Sequence, residues 1–481
     1  MAESLRGKFY RGVVWNTIEK MFAQGAHFVI GIVLARLLDP SDYGLAGMLS
    51  VFMAISSIFI DGGLRNALVQ KKECTAVDYS TVFVCNLGMS LLIYTILYFC
   101  APLIADFYNQ PLLTDITRVS ALGFIIGAFN TVQGAMLNKA VNFKALAQIR
   151  IISTIASGTV GIILAYQGYG VWALVFQTLT SGIIGWFLYP LYSKWKISFK
   201  FSGESFKKLF GYGSKLMATS LVSTIMNNIS TMFIGKYYNS AQLGYYTKGS
   251  GVPNTIFNVV YSVIGGVSFP ILTSIQDDRQ RMLNIYKKGL FTIALIIFPT
   301  MALMCLLSKP LVIILFTEKW LPSVAFMQIW FIIRSITPLS ALNLNMINAI
   351  GRSDLFMKVD FSKIPMIIIM LAITIPISVE AIVWGTLCTT LIAFFINAYV
   401  PGKIFGYGAI DQIKDWRYIF LSVIIMIICV WPIVHYTDNS WLQIIFGSSL
   451  GVTIYLICCL LFGVIKKEML HEAFIKIKQK L

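Results

Sequence analysis

An all-α polytopic membrane fold of about fourteen transmembrane helices is the class this sequence predicts, and three observations carry that prediction. Hydrophobic residues make up 57% of the 481 positions and charged ones only 12%, about half the charged share of a soluble domain. Apolar stretches of about 18 residues or more recur along almost the whole chain, each long enough to cross a hydrocarbon core about 30 Å thick. The basic residues are also sorted by side. With the N-terminus cytoplasmic, thirty Lys and Arg fall on that side against five opposite, namely Arg36, Lys236, Lys248, Lys309 and Lys319. Lys20, Arg118 and Arg334 fall within spans.

By hydropathy the first six spans lie near 11–37, 45–68, 79–104, 112–137, 145–167 and 169–192. A basic stretch from Lys194 to Lys208 separates them from a second six near 210–235, 247–272, 288–316, 323–349, 356–378 and 380–400. Two more, near 417–436 and 441–465, close the chain. The predicted organisation is a six-helix lobe over 1–200, a second over 201–408, and two additional helices with a basic cytoplasmic tail over 409–481. An even number of spans puts both termini on one side. Arg6, Lys8 and Arg11 run into a long apolar segment without a small-residue cleavage site, so the first span is expected to be retained.

The net charge of +17 is spread over short segments instead of being gathered on one folded domain, which argues against nucleic acid as a partner. The eight cysteines mostly sit in apolar runs, without a CxxC pair or a Cys/His cluster of metal spacing, and read as small hydrophobes. There is no P-loop, so no ATP engine is encoded here, and neither a cofactor nor a metal is expected.

The two six-helix sets are related. Arg36-Leu-Leu-Asp-Pro-Ser-Asp-Tyr-Gly44 matches Lys236-Tyr-Tyr-Asn-Ser-Ala-Gln-Leu-Gly244 at an offset of 200 residues. Because six is even, both halves enter from the same side, giving parallel repeats about an axis along the membrane normal, a plan that suits alternating access.

The first span carries Asn16, Lys20, Gln24, His27 and Gly31 on one helical face, with Glu19 beside it. At the same offset of 200 the seventh span carries Ser220, Thr224, Asn227 and Thr231. Polar faces are costly against lipid tails, so both are expected to line a central cavity, with Ile30 and Phe233 facing lipid. The competing reading is interhelical hydrogen bonding, a common use of such side chains in membranes. His27 is open to two readings, a proton or sugar ligand or a satisfied core residue. Glu19 and Asp61 are the candidate coupling-ion residues, although Asp61 and Arg65 have the spacing of a helical ion pair.

Arg118 and Arg334 fall in corresponding fourth helices of the two halves. A buried guanidinium fits phosphate oxygens bidentately, and the alternative is a structural partner for a carboxylate or for carbonyls. The candidate substrate-binding set is therefore Lys20, Gln24, His27, Arg118, Thr224, Asn227 and Arg334, and no catalytic residue is expected. Asp39-Pro-Ser-Asp42 places two carboxylates in an outside loop, loosely like a glycosyltransferase metal site, but a helix start accounts for them as well.

Three stretches, Val33-Leu-Ala-Arg-Leu-Leu-Asp-Pro-Ser-Asp-Tyr-Gly-Leu45, Phe269-Pro-Ile-Leu-Thr-Ser-Ile-Gln-Asp-Asp278 and Leu315-Phe-Thr-Glu-Lys-Trp320, resemble the polysaccharide transporters. These are the Wzx-type flippases, colanic and teichuronic acid subgroup, of the multidrug/oligosaccharidyl-lipid/polysaccharide exporter superfamily. The resemblance covers nearly the whole chain. It implies a V-shaped bundle in a bacterial cytoplasmic membrane that translocates undecaprenyl-pyrophosphate-linked oligosaccharide units for surface polysaccharide, such as lipopolysaccharide, synthesis. The partners implied are that lipid-linked substrate, membrane lipids, and polysaccharide polymerase and glycosyltransferases. Related lipid II flippases hold pyrophosphate with cavity arginines, for which this sequence offers Lys20, Arg118 and Arg334 without a clear positional match. The alternatives are a cation-coupled drug exporter, which usually lacks the last two helices, a membrane polymerase or ligase, which typically needs a large outside loop, and a scaffold for glycan assembly.

The charge split makes the topology testable. A reporter fused after Leu481 is expected to read cytoplasmic and one in the Asp106 to Gln110 loop external; the inverse pattern would overturn the orientation and the repeat argument together.

Overall fold

The computed structural model describes residues 24–465 apart from 72, 196 and 277, and every regular element among them is helical. In chain order these are α1 (Gln24–Leu37), α2 (Pro40–Asp61), α3 (Leu64–Gln70), α4 (Ala76–Tyr108), α5 (Leu113–Lys139), α6 (Phe143–Tyr166), α7 (Trp172–Ser193), α8 (Gly203–Tyr237) and α9 (Ser240–Ser274). They continue with α10 (Arg279–Leu306), α11 (Ser308–Phe316), a 3-10 turn at Glu318–Trp320, α12 (Ser323–Ala349), α13 (Ser353–Phe361), α14 (Ile364–Thr374), α15 (Val379–Phe405), α16 (Ala409–Asp415), α17 (Arg417–Tyr436) and α18 (Ser440–Leu461). Among the described residues ten helices (α2, α4 to α7, α10, α12, α15, α17 and α18) are long and apolar enough to cross a membrane. The chain is a polytopic α-helical membrane protein. The two longest helices, α8 and α9 at 35 residues each, are not among the ten.

Local chemistry sets the breaks that hydropathy blurs. The second span starts at Pro40, five residues earlier than expected, because Asp42 accepts the Asp39 N–H at 3.0 Å and proline suits the first helical turn. It stops at Asp61 because Gly62 and Gly63 take φ of 51° and 70°, values that favour glycine. The expected ninth span is two helices, parted at Leu307. The expected eleventh is split at Ser362 and Lys363, and Pro365 falls in the first turn of the second piece, where its missing N–H leaves no helical bond unmade. Four of the five lysines and arginines expected in outside loops lie in helices: Arg36 in the last turn of α1, Lys236 in the last turn of α8, Lys248 within α9 and Lys309 in α11. Two of these amines rest on aromatic faces, with Lys236 4.7 Å above Phe107 and Lys248 4.5 Å above Phe316, so the stems are buried while the charge finds a ring quadrupole.

Contacts divide the chain into two compact units, Met1–Gly244 and Tyr245–Leu481. In the first, α4 packs on α5, α7 packs on both α5 and α6, and α8 runs along α2, α3 and α4. Close backbone approach makes the α8 contact possible. A Cβ on Gly63 would stand 2.3 Å from the Gly213 carbonyl oxygen, and Gly235 abuts Tyr108 and Met48. The tightest approach is reciprocal and obeys the sequence repeat. A Cβ on Gly44 would stand 1.7 Å from the Ser240 oxygen, and one on Gly244 would stand 1.8 Å from the Pro40 oxygen. Residues 40 and 44 and their repeat mates 240 and 244 thus clasp each other.

In the second unit α12 packs on α10 and α15, and the terminal pair α17 and α18 packs on α10 and α11. A buried network fixes α16 to this set. Tyr286 donates to Asn343 Oδ1 at 2.5 Å, and Gln412 Nε2 reaches both the Tyr286 hydroxyl at 3.2 Å and Asn343 Oδ1 at 3.3 Å. Beside it, burial and then the Asp415 carboxylate, which accepts from Tyr407 at 2.7 Å, push the Tyr407 hydroxyl pKa up.

Gly44→Ala or Gly244→Ala must push the clasped backbones apart, an overpacking cost of about 1–3 kcal/mol. Each is expected to lower the thermal unfolding midpoint in detergent, whereas Gly88→Ala, whose Cβ meets open space, is expected to leave it unchanged or raise it. Equal midpoints for all three would show that the clasp is not a stability element.

Candidate functional site

The polar faces expected to line a cavity are only partly described. Asn16, Glu19 and Lys20 lie outside the described residues. Gln24 is half-buried and His27 exposed on α1, while on α8 Ser220 and Asn227 are exposed and Thr224 and Thr231 half-buried. The Thr224 carbonyl accepts from Asn228 of the same helix at 2.8 Å, and no hydrogen bond among the described residues joins the two stripes. Ile30, expected against lipid, instead packs into α6, where its Cδ1 lies 2.3 Å from the point a Cβ on Gly158 would occupy. The small residues of α6 admit it, a feature that helical periodicity cannot show. Phe233 is half-buried and stacks on Tyr237.

Asp61 sits at the end of α2 beside Arg65 and within reach of the backbone N–H groups of Gly63 and Arg65, at the start of α3. Asp39 and Asp42 form the start of α2, the helix-start reading of that pair. Arg118 is engaged by one residue of α4: its Nε donates to the Tyr98 carbonyl at 3.3 Å and its guanidinium lies 4.4 Å from the centre of the Tyr98 ring.

Arg334 is placed differently. It stands roughly 18 Å along α12 from Pro322, at 1.5 Å per residue, near the middle of a span. Its Nε donates to Asn254 Oδ1 of α9 at 2.6 Å. Its Cζ lies over the rings of Phe257 at 4.5 Å and Trp330 at 5.0 Å. Tyr246 of α9 stands edge-on to Trp330 at 6.1 Å. Ion pairs join Lys71 to Asp78, Lys208 to Glu204, Arg352 to Asp354 and Lys363 to Asp360, and among the described residues no carboxylate pairs with Arg334. Nε of the guanidinium is therefore bonded to a neutral amide, its Cζ lies over two aromatic rings, and the terminal N–H groups have no protein acceptor among the described residues. The buried indole N–H of Trp330, one helical turn away, also lacks an acceptor among them. Guanidinium and indole N–H groups are donors of the kind that suit anionic oxygens.

Sequence reading found Arg334 but not Asn254, Phe257 or Trp330. Trp330 stands four residues before Arg334 and so shares its face. Asn254 and Phe257, three apart, share a face of the neighbouring span, a signal that becomes specific only once the two helices are known to pair. The unit also holds an apolar cavity of about 400 Å³ between α10, α12, α15, α16 and α17, lined by Phe298, Phe331, Leu391, Phe394, Trp416 and Val423 among others.

The family motifs are mostly structural. Leu315 to Trp320 closes α11 with Thr317 at φ 83°, and the wholly buried Trp320 offers its face to Lys248 at 5.6 Å. Asp278 caps α10 by accepting from the Arg281 N–H at 2.9 Å.

The described residues thus form a polytopic helical membrane bundle in which Arg334 has no carboxylate partner among them. The chain belongs to the polysaccharide biosynthesis protein family, whose model matches residues 33–325. It is 24% identical over 376 residues to the lipopolysaccharide biosynthesis protein WzxC of Escherichia coli K12, covering 76% of each chain. It is 25% identical over 361 residues to the teichuronic acid biosynthesis protein TuaB of Bacillus subtilis, covering 73% of each. In fold it is similar to the lipid II flippase MurJ in an inward closed conformation, with a TM-score of 0.74 at 16% identity over 93% of this chain and 98% of that one. The expected kinship with Wzx-type polysaccharide transporters is borne out.

Proposed function

We propose that this protein flips a lipid-linked oligosaccharide, carried on an undecaprenyl pyrophosphate anchor, from the cytoplasmic to the outer leaflet of the cytoplasmic membrane by alternating access. The observation that carries this reading is Arg334. Burying a guanidinium near mid-bilayer costs at least ~2.5 to 3.5 kcal/mol on insertion scales, and no carboxylate among the described residues offsets it. A pyrophosphate diester is dianionic, and its tetrahedral phosphates present oxygen pairs that suit the planar fork of the two terminal NH2 groups and the Trp330 indole N–H. Charge-assisted bonds of this kind are each worth about 1.5–3 kcal/mol.

The apolar cavity between α10 and α17 supports the lipid part of the substrate, since an isoprenoid chain needs a groove that asks for no hydrogen bonds. In the mechanism proposed, Asn254 and the two rings hold the guanidinium so that its free edge faces the pathway, and release follows when water reaches the phosphate and screens the pair. The repeats 1–200 and 201–408 act as the alternating lobes and 409–481 accompanies the second, with both termini cytoplasmic. Lys20, Gln24, His27, Thr224 and Asn227 serve as contacts for the sugar and pyrophosphate along the pathway. Glu19 and Asp61 are the candidates for coupling to an ion, and the glycan itself is set by the polymerase and glycosyltransferases that work with the flippase.

The test is flipping of pyrophosphate-linked sugar lipid in reconstituted vesicles. Arg334→Lys keeps the charge but loses the fork and is expected to retain part of the rate, whereas Arg334→Gln is expected to lose most of it. Asn254→Asp places a carboxylate 2.6 Å from Nε and supplies an internal counter-ion. It is expected to lower flipping while holding or raising thermal stability, because the arginine no longer needs an external anion. Wild-type flipping by Arg334→Gln would make the residue structural and move the phosphate site elsewhere.

A further inference from the structure

The chain between α7 and α8 has no helix or strand over its described residues, yet its sequence is strictly alternating. Trp195, Ile197, Phe199 and Phe201 occupy the odd positions, and Lys194, Lys196, Ser198, Lys200 and Ser202 the even ones. In an extended backbone that pattern sends apolar groups to one face and amines and hydroxyls to the other.

The structure bears this out at two points. The rings of Trp195 and Phe199 both lie against the ring of Phe83 in α4, at 5.6 and 5.7 Å, so residues 195 and 199 share a side. The far end is extended and tied down, with Ser202 at φ −126° and ψ 117° and its N–H donating to Thr81 Oγ1 at 3.1 Å.

Protein covers this apolar face incompletely. Ile197 remains 44% exposed, Phe199 71% and Phe201 56%. The ledge continues along α8, where Phe201 approaches Phe206 at 6.2 Å and Phe206 stacks on Phe210 at 5.1 Å. Exposed aromatics of this extent call for a partner.

The charges beside them are of one sign and mostly uncommitted. Glu204, the acid nearest in sequence, is taken by Lys208 at 2.7 Å. Lys194, Lys200 and Lys207 form no ion pair among the described residues. The segment follows α7, a helix long and apolar enough to cross a membrane, and by the sidedness of Lys and Arg it falls on the side that carries their excess.

We infer that residues 194–210 form an interfacial strap that docks on anionic phospholipid of the leaflet it faces. The Phe199, Phe201, Phe206 and Phe210 ledge sits at the acyl boundary, and Lys194, Lys200 and Lys207 sit among the head-group phosphates. Aromatic rings favour that depth, and basic residues beside a membrane are drawn to anionic lipid by about fivefold in affinity per charge. The strap covalently joins the two sequence repeats, so the lipid surface holds the link between them.

The test uses full-length protein with a spin label at Phe199→Cys in an otherwise cysteine-free chain. The protein is reconstituted in phosphatidylcholine alone or mixed with phosphatidylglycerol, and accessibility to oxygen and to a water-soluble nickel chelate is read. Phosphatidylglycerol is expected to raise the ratio of oxygen to nickel accessibility several-fold. The Lys194→Ser/Lys200→Ser/Lys207→Ser variant should lose that response, and Lys208→Ser, which removes an amine already paired, should keep it. A label that stays water-accessible in both membranes would overturn the inference and point to a soluble acidic partner. A response that survives the triple substitution would overturn it as well, by removing the lysines from the interaction.

Discussion

Hydrocarbon offers neither hydrogen bonds nor counter-charges, so every polar group that this chain carries into the bilayer must be answered inside the protein or by something that enters it. That constraint sorts the structure. Where an answer exists within the fold, the group is part of the scaffold. Tyr286, Asn343 and Gln412 satisfy one another in a buried triangle that fixes α16 to α10 and α12. Arg118 uses the carbonyl and ring of a single tyrosine. Asn130 donates to the Gly182 carbonyl, tying α5 to α7. Arg334 is the charged group on which the functional account turns, because its partners are one neutral amide and two rings, none of which carries the charge that it needs.

The rings do more than fill space. A lone guanidinium on a flexible stem would snorkel toward water or seek a carbonyl, as lysine and arginine do near span ends. The rings of Phe257 and Trp330 lie beside the guanidinium and Asn254 holds its Nε, so in the function proposed the remaining donors are positioned before a ligand arrives. Preorganisation of this kind cuts the entropy lost on binding. The same logic runs through the clasp at Gly44 and Gly244. Two backbones approach more closely than any side chain would permit, and the approach is repeated in the register of the sequence duplication.

Much of this was legible in the chain, and the limits have physical causes. Spans are visible because a helix must be apolar over the thickness of the bilayer, and the repeat because helix ends use the same capping and glycine chemistry twice, at Asp39 to Gly44 and Asn239 to Gly244. Breaks at Gly62, Leu307 and Ser362 were hidden, since hydropathy averages over windows longer than a turn. Ile30 was misread because periodicity gives the face of a helix but not its neighbour, and the glycine that receives it lies on α6. Arg334 stood out as an ion in an apolar run. Asn254 did not, because a neutral amide in a span looks the same whether it glues helices together or aims an arginine.

The central claim is that Arg334 exists to bind the phosphate head of a lipid, and native mass spectrometry of the purified protein in detergent tests it most directly. Offered undecaprenyl pyrophosphate, undecaprenyl monophosphate and undecaprenol at equal concentration, the wild-type protein is predicted to retain the pyrophosphate lipid in preference to the other two. Arg334→Gln is predicted to lose that preference while still binding the chain. Equal retention of all three by the wild type, or an unchanged preference in Arg334→Gln, would contradict the account.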